Sequence, residues 1–219
     1  MFFGWLSDRV GRKSIMMTGM LLAILLYRPI YTAMYQTTDV ATKTELVEKS
    51  TKVAVIKEAK EGKMDSIYTA TKEFADGTKW SQIKTVHLED GKSVIVDGKV
   101  KADTKTTINI NNHDRWWLIF LVFIQVIFVT MVYGPIAAFL VEMFPVKIRY
   151  TSMSLPYHVG NGIFGGLLPA ISTYFVTTAK DDGDPQFYLA GLWYPIVIAA
   201  VSFLIGMVYL KTKNNIEHD

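Results

Sequence analysis

The chain has 219 residues, no cysteine and a formal net charge of +3, and 50% of its residues are hydrophobic. The lack of cysteine excludes a disulfide scaffold, a cysteine-ligated metal and a cysteine nucleophile. The small net charge gives no case for nucleic-acid binding. Charge is unevenly distributed, because 13 of the 23 basic and 13 of the 20 acidic residues lie between Thr37 and Asp114. Long, nearly uncharged runs make up most of the rest, and a single water-soluble domain has no room to bury them.

Four of these runs are long and apolar enough to cross a membrane as helices. A helix rises about 1.5 Å per residue, so about 20 apolar residues span the hydrocarbon core. The predicted spans, of which the third is rich in glycine and proline, are Ser14–Tyr35, Trp116–Val141, Tyr150–Val176 and Phe187–Leu210. A short stub at Met1–Leu6 is the expected tail of another helix. The sequence therefore predicts an all-α polytopic membrane protein with four transmembrane helices.

Lysine and arginine in the short connections predict the orientation, because such loops stay in the cytoplasm. The loop Thr177–Gln186 carries Lys180 against three aspartates, whereas the other connections and the tail are basic. This asymmetry predicts a cytoplasmic C-terminus and an extracytoplasmic segment 36–114. The basic residues counted on the cytoplasmic side are Arg9, Arg12, Lys13, Lys147, Arg149, Lys211 and Lys213.

Residues 36–114 form a polar insert between the first two spans, with residues 1–35 and 115–219 as the flanking membrane parts. The stretch Asp39–Lys60 is rich in helix formers and predicts a short helix. From Ser66 onward apolar and polar residues alternate, and Asp-Gly pairs at positions 76, 90 and 97 favour tight hairpin turns. The insert is therefore predicted to be mainly β, a short helix followed by a small β-meander.

Three motifs in the membrane parts carry a family resemblance. The segment Gly4–Lys13, GWLSDRVGRK, resembles the G-x-L-[SA]-D-[RK]-x-G-[RK]-[RK] loop of the major facilitator superfamily at all ten positions. Residues Glu142–Arg149, EMFPVKIR, are similar to the E-x-F-P-x-x-x-R element after helix 10 of many of these carriers. Residues Tyr157–Pro169 resemble helix 11 of the metabolite–proton symporter branch, which includes carriers of proline and betaine, α-ketoglutarate, citrate and shikimate. The resemblance covers residues 1–35 and 115–213 but not the insert.

The resemblance implies the C-terminal part of a twelve-helix carrier, from the end of helix 8 to helix 12. Met1 is then expected to be an internal methionine or an artificial start, and the N-terminal half of the carrier is a missing partner. The implied function is alternating-access symport of a small organic acid or a betaine-like or amino-acid-like metabolite. The implied coupling ion is H⁺, with no cofactor, and the implied location is a bacterial inner membrane. The partners are the substrate and the lipid bilayer.

The resemblance also implies a charge network that holds one conformational state at the cytoplasmic helix ends. Glu142 and Asp8 supply its acids, and we expect Glu142 to be ionised and paired with nearby bases. The alternative is that these residues are solvated anchors that contribute about 0–1 kcal/mol each. The predicted network comprises Gly4, Asp8, Arg9, Gly11, Arg12, Lys13, Glu142 and Arg149.

Polar residues within the spans are candidates for a substrate or ion pathway. Arg28, which Pro29 follows, either contacts an anionic substrate group or extends to the outer headgroups. His158 either carries a proton or is structural. The predicted spans contain no carboxylate, and Glu142 lies just after the second span. If coupling uses an acid, that acid is expected in the missing half. The remaining pathway candidates are Gln125, Tyr133, Tyr157 and Asn161.

Two other functions compete with the carrier. One is a complete four-helix membrane protein whose outer domain senses or binds a ligand, although such a sensor has no need of a facilitator gate loop. The other is an enzyme. The sequence contains no nucleophile cluster, metal-ligand spacing or glycine-rich phosphate loop, which argues against this function. His87 and His113 in the insert are isolated.

Overall fold

The computed structural model describes residues 2–58, 64–89, 92–93, 95–96, 99–100 and 102–210. These residues belong to two compact units. One consists of Met1–Tyr35 and Ile119–Asp219, and the other of Gln36–Leu118. The first unit is helical, and the second contains the strands of the chain.

The helices correspond to the apolar runs of the sequence. Only Gly11 separates the first two, and its φ of +100° lies in the left-handed region that favours glycine. The third apolar run is one irregular helix in three parts, two α-helical and one π-helical. The helices are α1 Phe2–Val10, α2 Arg12–Thr38, α3 Asn112–Met143, α4 Arg149–His158, a π-helix Val159–Gly165, α5 Gly166–Asp181, α6 Phe187–Ala190 and α7 Trp193–Tyr209.

Four helical segments among the described residues are long and apolar enough to cross a membrane, as predicted. They are Arg12–Thr38, Asn112–Met143, Arg149–Asp181 and Phe187–Tyr209, and each includes most or all of one predicted run. Large apolar side chains on them, such as Phe123 and Leu204, are exposed. A helix that exposes apolar side chains on this scale suits a lipid environment.

The helical unit is packed around two small apolar clusters. Ile30 packs with Leu121 and Phe128 between α2 and α3. Leu189, Leu192 and Ile196 form a second cluster against partly buried residues of α2. Close approach of α2 and α3 depends on Gly19, because a Cβ at that position would lie 2.8 Å from the Met131 Cβ. Small residues commonly allow such contact between membrane helices.

The second unit begins with two single 3₁₀ turns, Val40–Thr42 and Val47–Lys49, and continues as strands. Its main sheet is antiparallel in the order β1-β2-β3-β4, with β7 also paired to β3. One register row runs from Val53 through Thr69 and Ile83 to Lys105. The strands are β1 Thr51–Glu58, β2 Met64–Glu73, β3 Lys79–Glu89, β4 Lys92–Ser93, β5 Ile95–Val96, β6 Lys99–Val100 and β7 Ala102–Asn109.

The helix predicted within Asp39–Lys60 is wrong over Thr51–Glu58, which forms β1. This stretch alternates polar residues with β-branched Val53 and Val55, and its pairing along the whole of β1 with β2 outweighs its helix formers. The small antiparallel sheet that follows is confirmed. The Asp76-Gly77 turn is confirmed too, because Gly77 has a φ of +85° between β2 and β3. The Asp-Gly pairs at 90 and 97 lie outside the described residues.

A charge cluster stabilises this turn. The Lys43 ammonium donates to Asp76 at 2.5 Å, to Asp114 at 2.7 Å and to the Thr78 hydroxyl at 3.0 Å. Thr78 is fully buried, and its main-chain amide donates to Asp76 at 2.9 Å. Partial burial by itself raises the pKa of Asp76, but hydrogen bonds from Lys43 and Thr78 outweigh it and lower the pKa to about 2. Burial by itself lowers the pKa of Lys43, yet its two carboxylate partners raise the pKa overall.

Candidate functional site

Arg12 joins three helices through two ion pairs. Its Nη2 lies 3.0 Å from Asp8 Oδ1 in the last turn of α1. Its Nη1 lies 2.9 Å from Glu142 Oε1 at the end of α3. The planar guanidinium offers several donors in a fixed fork, so one side chain serves both acids. The structure therefore brings together Asp8, Arg12 and Glu142, three residues of the predicted network.

Small residues hold the helices close beside this cluster. A Cβ at Gly134 of α3 would lie 3.4 Å from the main-chain nitrogen of Gly4 in α1. The neighbouring Pro135 is fully buried. Ser7 is 1% exposed, and its hydroxyl donates to the Gly4 carbonyl oxygen at 2.7 Å. Close contact between α1 and α3 thus fixes the acid of α1 near the end of α3.

The predicted site residues do not include Ser7, Gly134 or Pro135. Ser7 directly precedes Asp8, and Gly134 and Pro135 directly follow Tyr133. The signal in the sequence is their small size or rigid backbone within the first motif and near the end of the second span. Such residues are recognisable as contacts only when the partner helix is known.

The remaining bases of the predicted network have other partners. The Arg9 guanidinium carbon lies 4.2 Å from the ring centre of Trp5, a cation–π contact within α1. The Lys13 ammonium donates to the main-chain oxygens of Met207, at 3.3 Å, and Leu210. It thereby satisfies carbonyls at the C-terminal end of α7, where a positive charge is favourable.

Arg149 stabilises the turn between α3 and α4, because its Nε donates to the Phe144 carbonyl oxygen at 3.2 Å. Gly11 contributes backbone geometry, since it supplies the bend between α1 and α2. The predicted network therefore has a centre, formed by Arg12 and its two acids. Around it lie residues that stabilise the adjoining helix ends.

Two of the predicted pathway residues form a direct bond between spans. The Tyr133 hydroxyl of α3 donates to Asn161 Oδ1 in the π-helix at 3.0 Å. Gln125 is not part of this pair: its Nε2 lies 3.3 Å from the Met34 sulfur of α2. His158 Nδ1 donates to the main-chain oxygen of Ser154 at 2.8 Å, within its own helix.

Tyr157 and His158 line a mainly apolar cavity of about 260 Å³ between α3 and α4. The imidazole is exposed, and its Nε2 is the ring nitrogen not engaged by Ser154. The cavity therefore has a mainly apolar lining with one imidazole group in it. The other lining residues are Ala137, Leu140, Tyr150, Met153 and Ser154.

Arg28 lies apart from these residues. Its guanidinium carbon is 4.8 Å from the ring centre of Trp193, so α2 and α7 share a cation–π contact. An aromatic face accommodates a cation inside an apolar span without a counter-ion. Among the described residues no group of three or more histidines and acids could hold a metal ion.

Comparisons with known proteins point to transporters. The chain is 40% identical over 62 residues to a citrate-proton symporter of Salmonella typhi, which covers 28% of this chain and 14% of that protein. It is 31% identical over 100 residues to a protein assigned as a metabolite transport protein in Haemophilus influenzae. This match covers 45% of this chain and 21% of that protein. A protein assigned as a proline/betaine transporter in Staphylococcus aureus is 31% identical to this chain over 92 residues. This match covers 42% of this chain and 18% of that protein.

These matches confirm the resemblance to the metabolite–proton symporter branch of the major facilitator superfamily. The matched part of the chain spans about a fifth or less of the length of these relatives. No family model matches the chain, and no solved structure is significantly similar to it. The similarity and the four apolar helices together identify an integral membrane protein related to transporters rather than to enzymes.

Proposed function

We propose that this chain is the C-terminal part of a proton-coupled symporter that moves a small organic acid or a betaine-like or amino-acid-like metabolite by alternating access. The observation that carries the proposal is the double ion pair of Arg12 with Asp8 and Glu142. It occupies the two motifs that resemble facilitator carriers. The relatives' names, which include a citrate-proton symporter, support both the substrate class and the coupling ion.

In this proposal Arg12 closes the cytoplasmic side. The guanidinium ties the loop between α1 and α2 to the end of α3, so movement of these helices apart breaks one ion pair or both. The side chains of Asp8 and Glu142 are 61% and 45% exposed. When the ion pairs break, water therefore replaces the lost bonds at low cost. A contact of this kind suits a gate that must open and close repeatedly.

The substrate path lies along the polar residues of the spans. Tyr133 and Asn161 form a hydrogen-bonded pair, and Tyr157 and His158 border the cavity between α3 and α4. His158 is proposed to bind the transported proton or to sense it. Arg28 and Gln125 are proposed to face the same path in another state of the carrier.

The remaining parts of the proposal concern location and partners. We infer from the basic short connections that the C-terminus is cytoplasmic and that residues 36–114 lie on the outer side of the membrane. The proposed location is a bacterial inner membrane. The other half of the carrier completes the cavity, because carriers of this kind bind substrate between two halves near the membrane midplane.

The test is uptake by the full reading frame that contains this chain, reconstituted in proteoliposomes. Labelled citrate, proline and betaine are offered with an inward proton gradient, with and without an uncoupler. We expect one of them, or a close chemical relative, to accumulate only while the gradient exists. Folded protein that accumulates none of them under any gradient would contradict the proposal and favour the sensing role for the outer domain.

A further inference from the structure

The third span contains an unusual backbone segment, the π-helix Val159–Gly165. π-turns are rare in proteins and frequently mark functional sites. The sequence explains the irregularity, because Pro156 before the segment and Pro169 after it each lack an amide hydrogen, and the segment holds three glycines. At its end the Gly166 amide donates to the Ile163 carbonyl oxygen, three residues back instead of the usual four.

Two tyrosine hydroxyls from different helices bind this segment. The Tyr133 hydroxyl of α3 donates to the Asn161 side chain at 3.0 Å. The Tyr194 hydroxyl of α7 donates to the main-chain oxygen of Phe164 at 3.1 Å. Inside a membrane an irregular backbone needs such partners, because no water is present to bond a free carbonyl. The π-helix is thus held by bonds from the span before it and from the span after it.

Packing adds little restraint at this position. A Cβ placed at Gly160 or Gly162 would meet no atom within 4 Å. Ile163 is 54% exposed, and the most apolar window of the third span contains no buried residue. Close packing normally fixes the register of a helix. Here two hydroxyl bonds reach the segment, one from α3 and one from α7.

We propose that Tyr133 and Tyr194 clamp the third span in a π-helical register, and that loss of the clamp lets residues 159–165 relax to an α-helix. A π-turn holds one residue more than an α-helical turn. Each residue of an α-helix turns the chain by about 100°, so conversion of the π-turn to an α-turn rotates α5 by about 100° relative to α4. The rotation re-aims Asn161 relative to His158. Tyr194 is then a positioning residue. The inference concerns the backbone and holds whether or not the chain transports a metabolite.

The test uses the natural lack of cysteine, since introduced cysteines are then unique labelling sites. Spin labels are placed on Val129→Cys in α3 and Tyr174→Cys in α5, which are 45% and 67% exposed. Distances are measured by pulsed electron paramagnetic resonance on the full chain in lipid nanodiscs. The variants are Tyr133→Phe, Tyr194→Phe and both together, each of which removes only a hydroxyl group.

We expect a second, discrete distance whose population rises about threefold with each hydroxyl removed, the effect of an average hydrogen bond between membrane helices. The matched control is Tyr150→Phe, the same substitution at an 89% exposed position of the same span, and it should leave the distances unchanged. A double variant with the parent distance would overturn the proposal. A single broad distribution would overturn it too, because that result means local disorder rather than a change of register.

A second variant keeps the test decisive if Tyr133→Phe does not fold. Asn161→Ala removes the same hydrogen bond from the other side and leaves both tyrosines in place. It should reproduce the second distance, and its amides at 159–166 should exchange hydrogen no faster than those of the parent, because an α-helix keeps them hydrogen-bonded. Parent-like distances in folded Asn161→Ala protein would count against the clamp.

Discussion

Each unit of the molecule contains a cation that binds two carboxylates, yet the two sites differ in exposure. The Lys43 side chain in the sheet unit is 11% exposed, and its partners Asp76 and Asp114 are 34% and 20% exposed. Arg12 in the helical unit is 22% exposed, whereas Asp8 and Glu142 are 61% and 45% exposed. The strength of an ion pair depends on how fully water is excluded. The Lys43 cluster is therefore suited to a fixed structure, and the Arg12 cluster to a contact that opens.

The largest effect is expected when the Lys43 cluster loses its cation. Lys43→Met leaves two carboxylates facing each other beside a fully buried threonine, Thr78. We expect the sheet unit to lose about 3 kcal/mol, the lower end for a broken buried pair because these acids are partly exposed. Hydrogen exchange of the β2 and β3 amides in the full chain measures the loss. Lys84→Met, an exposed lysine of β3, is the control, and an equal loss in both variants would contradict the assignment.

The next effect tests packing in the helical unit. Gly19→Ala places a Cβ 2.8 Å from the Met131 Cβ and 3.2 Å from the Phe128 carbonyl oxygen. Overpacking of this kind costs about 2 kcal/mol, which detergent unfolding followed by circular dichroism can detect. Gly166→Ala is the control, because nothing lies within 4 Å of its Cβ position. If the two variants unfold alike, α2 and α3 do not approach as closely as the structure has them.

A pH dependence comes third, and Asp76 is one of the carboxyl groups that contribute to it. Its pKa of about 2 in the folded protein lies below the ordinary 3.8, so folding favours the ionised form. This contribution is present above about pH 4 and is lost as the pH falls towards 2. Stability of the β2–β3 hairpin, measured by hydrogen exchange corrected for intrinsic rates, should decline over that interval. Asp76→Asn should flatten the decline, and an unchanged profile would assign the dependence to other groups.

The smallest effect is expected for the Arg12 cluster. Arg12→Gln removes an interaction of at most about 1 kcal/mol, which corresponds to a change of about fivefold in the ratio of the closed to the open state of the proposed gate. Spin labels across the C-terminal ends of α1 and α3 report that ratio. Lys147→Gln, an exposed base near the same helix end, serves as the control. A larger response from Lys147→Gln would show that net charge, and not the ion pair, sets the balance.

The apolar spans could be predicted from the sequence because length and hydropathy alone decide whether a helix can cross a membrane. The strand β1 could not, since Thr51–Glu58 acquires its structure by pairing with β2, a strand whose position the local sequence does not specify. The Asp76-Gly77 turn was predictable, because only a few residue types tolerate the positive φ that such a turn requires.

Some contacts of the candidate site could likewise be predicted from the sequence, and others could not. The pairing of Glu142 with bases was predicted from the two motifs, and Arg12 provides it. The partners of Lys13 were not predictable, because Met207 and Leu210 are nearly 200 residues away in the sequence. Tyr194 gave no signal at all, since one tyrosine in an apolar run is ordinary, and only the position of Phe164 reveals its hydrogen bond.

The most direct test of the account exchanges the charges of its central ion pair. Arg12→Glu, Glu142→Arg and the double exchange are introduced into the full reading frame, and gradient-driven uptake is measured in proteoliposomes. We expect each single variant to lose most of its uptake and the double exchange to recover a substantial part, because the contact is restored with opposite polarity. Full uptake in both single variants, or no recovery in a folded double variant, would contradict a gate formed by Arg12 and Glu142.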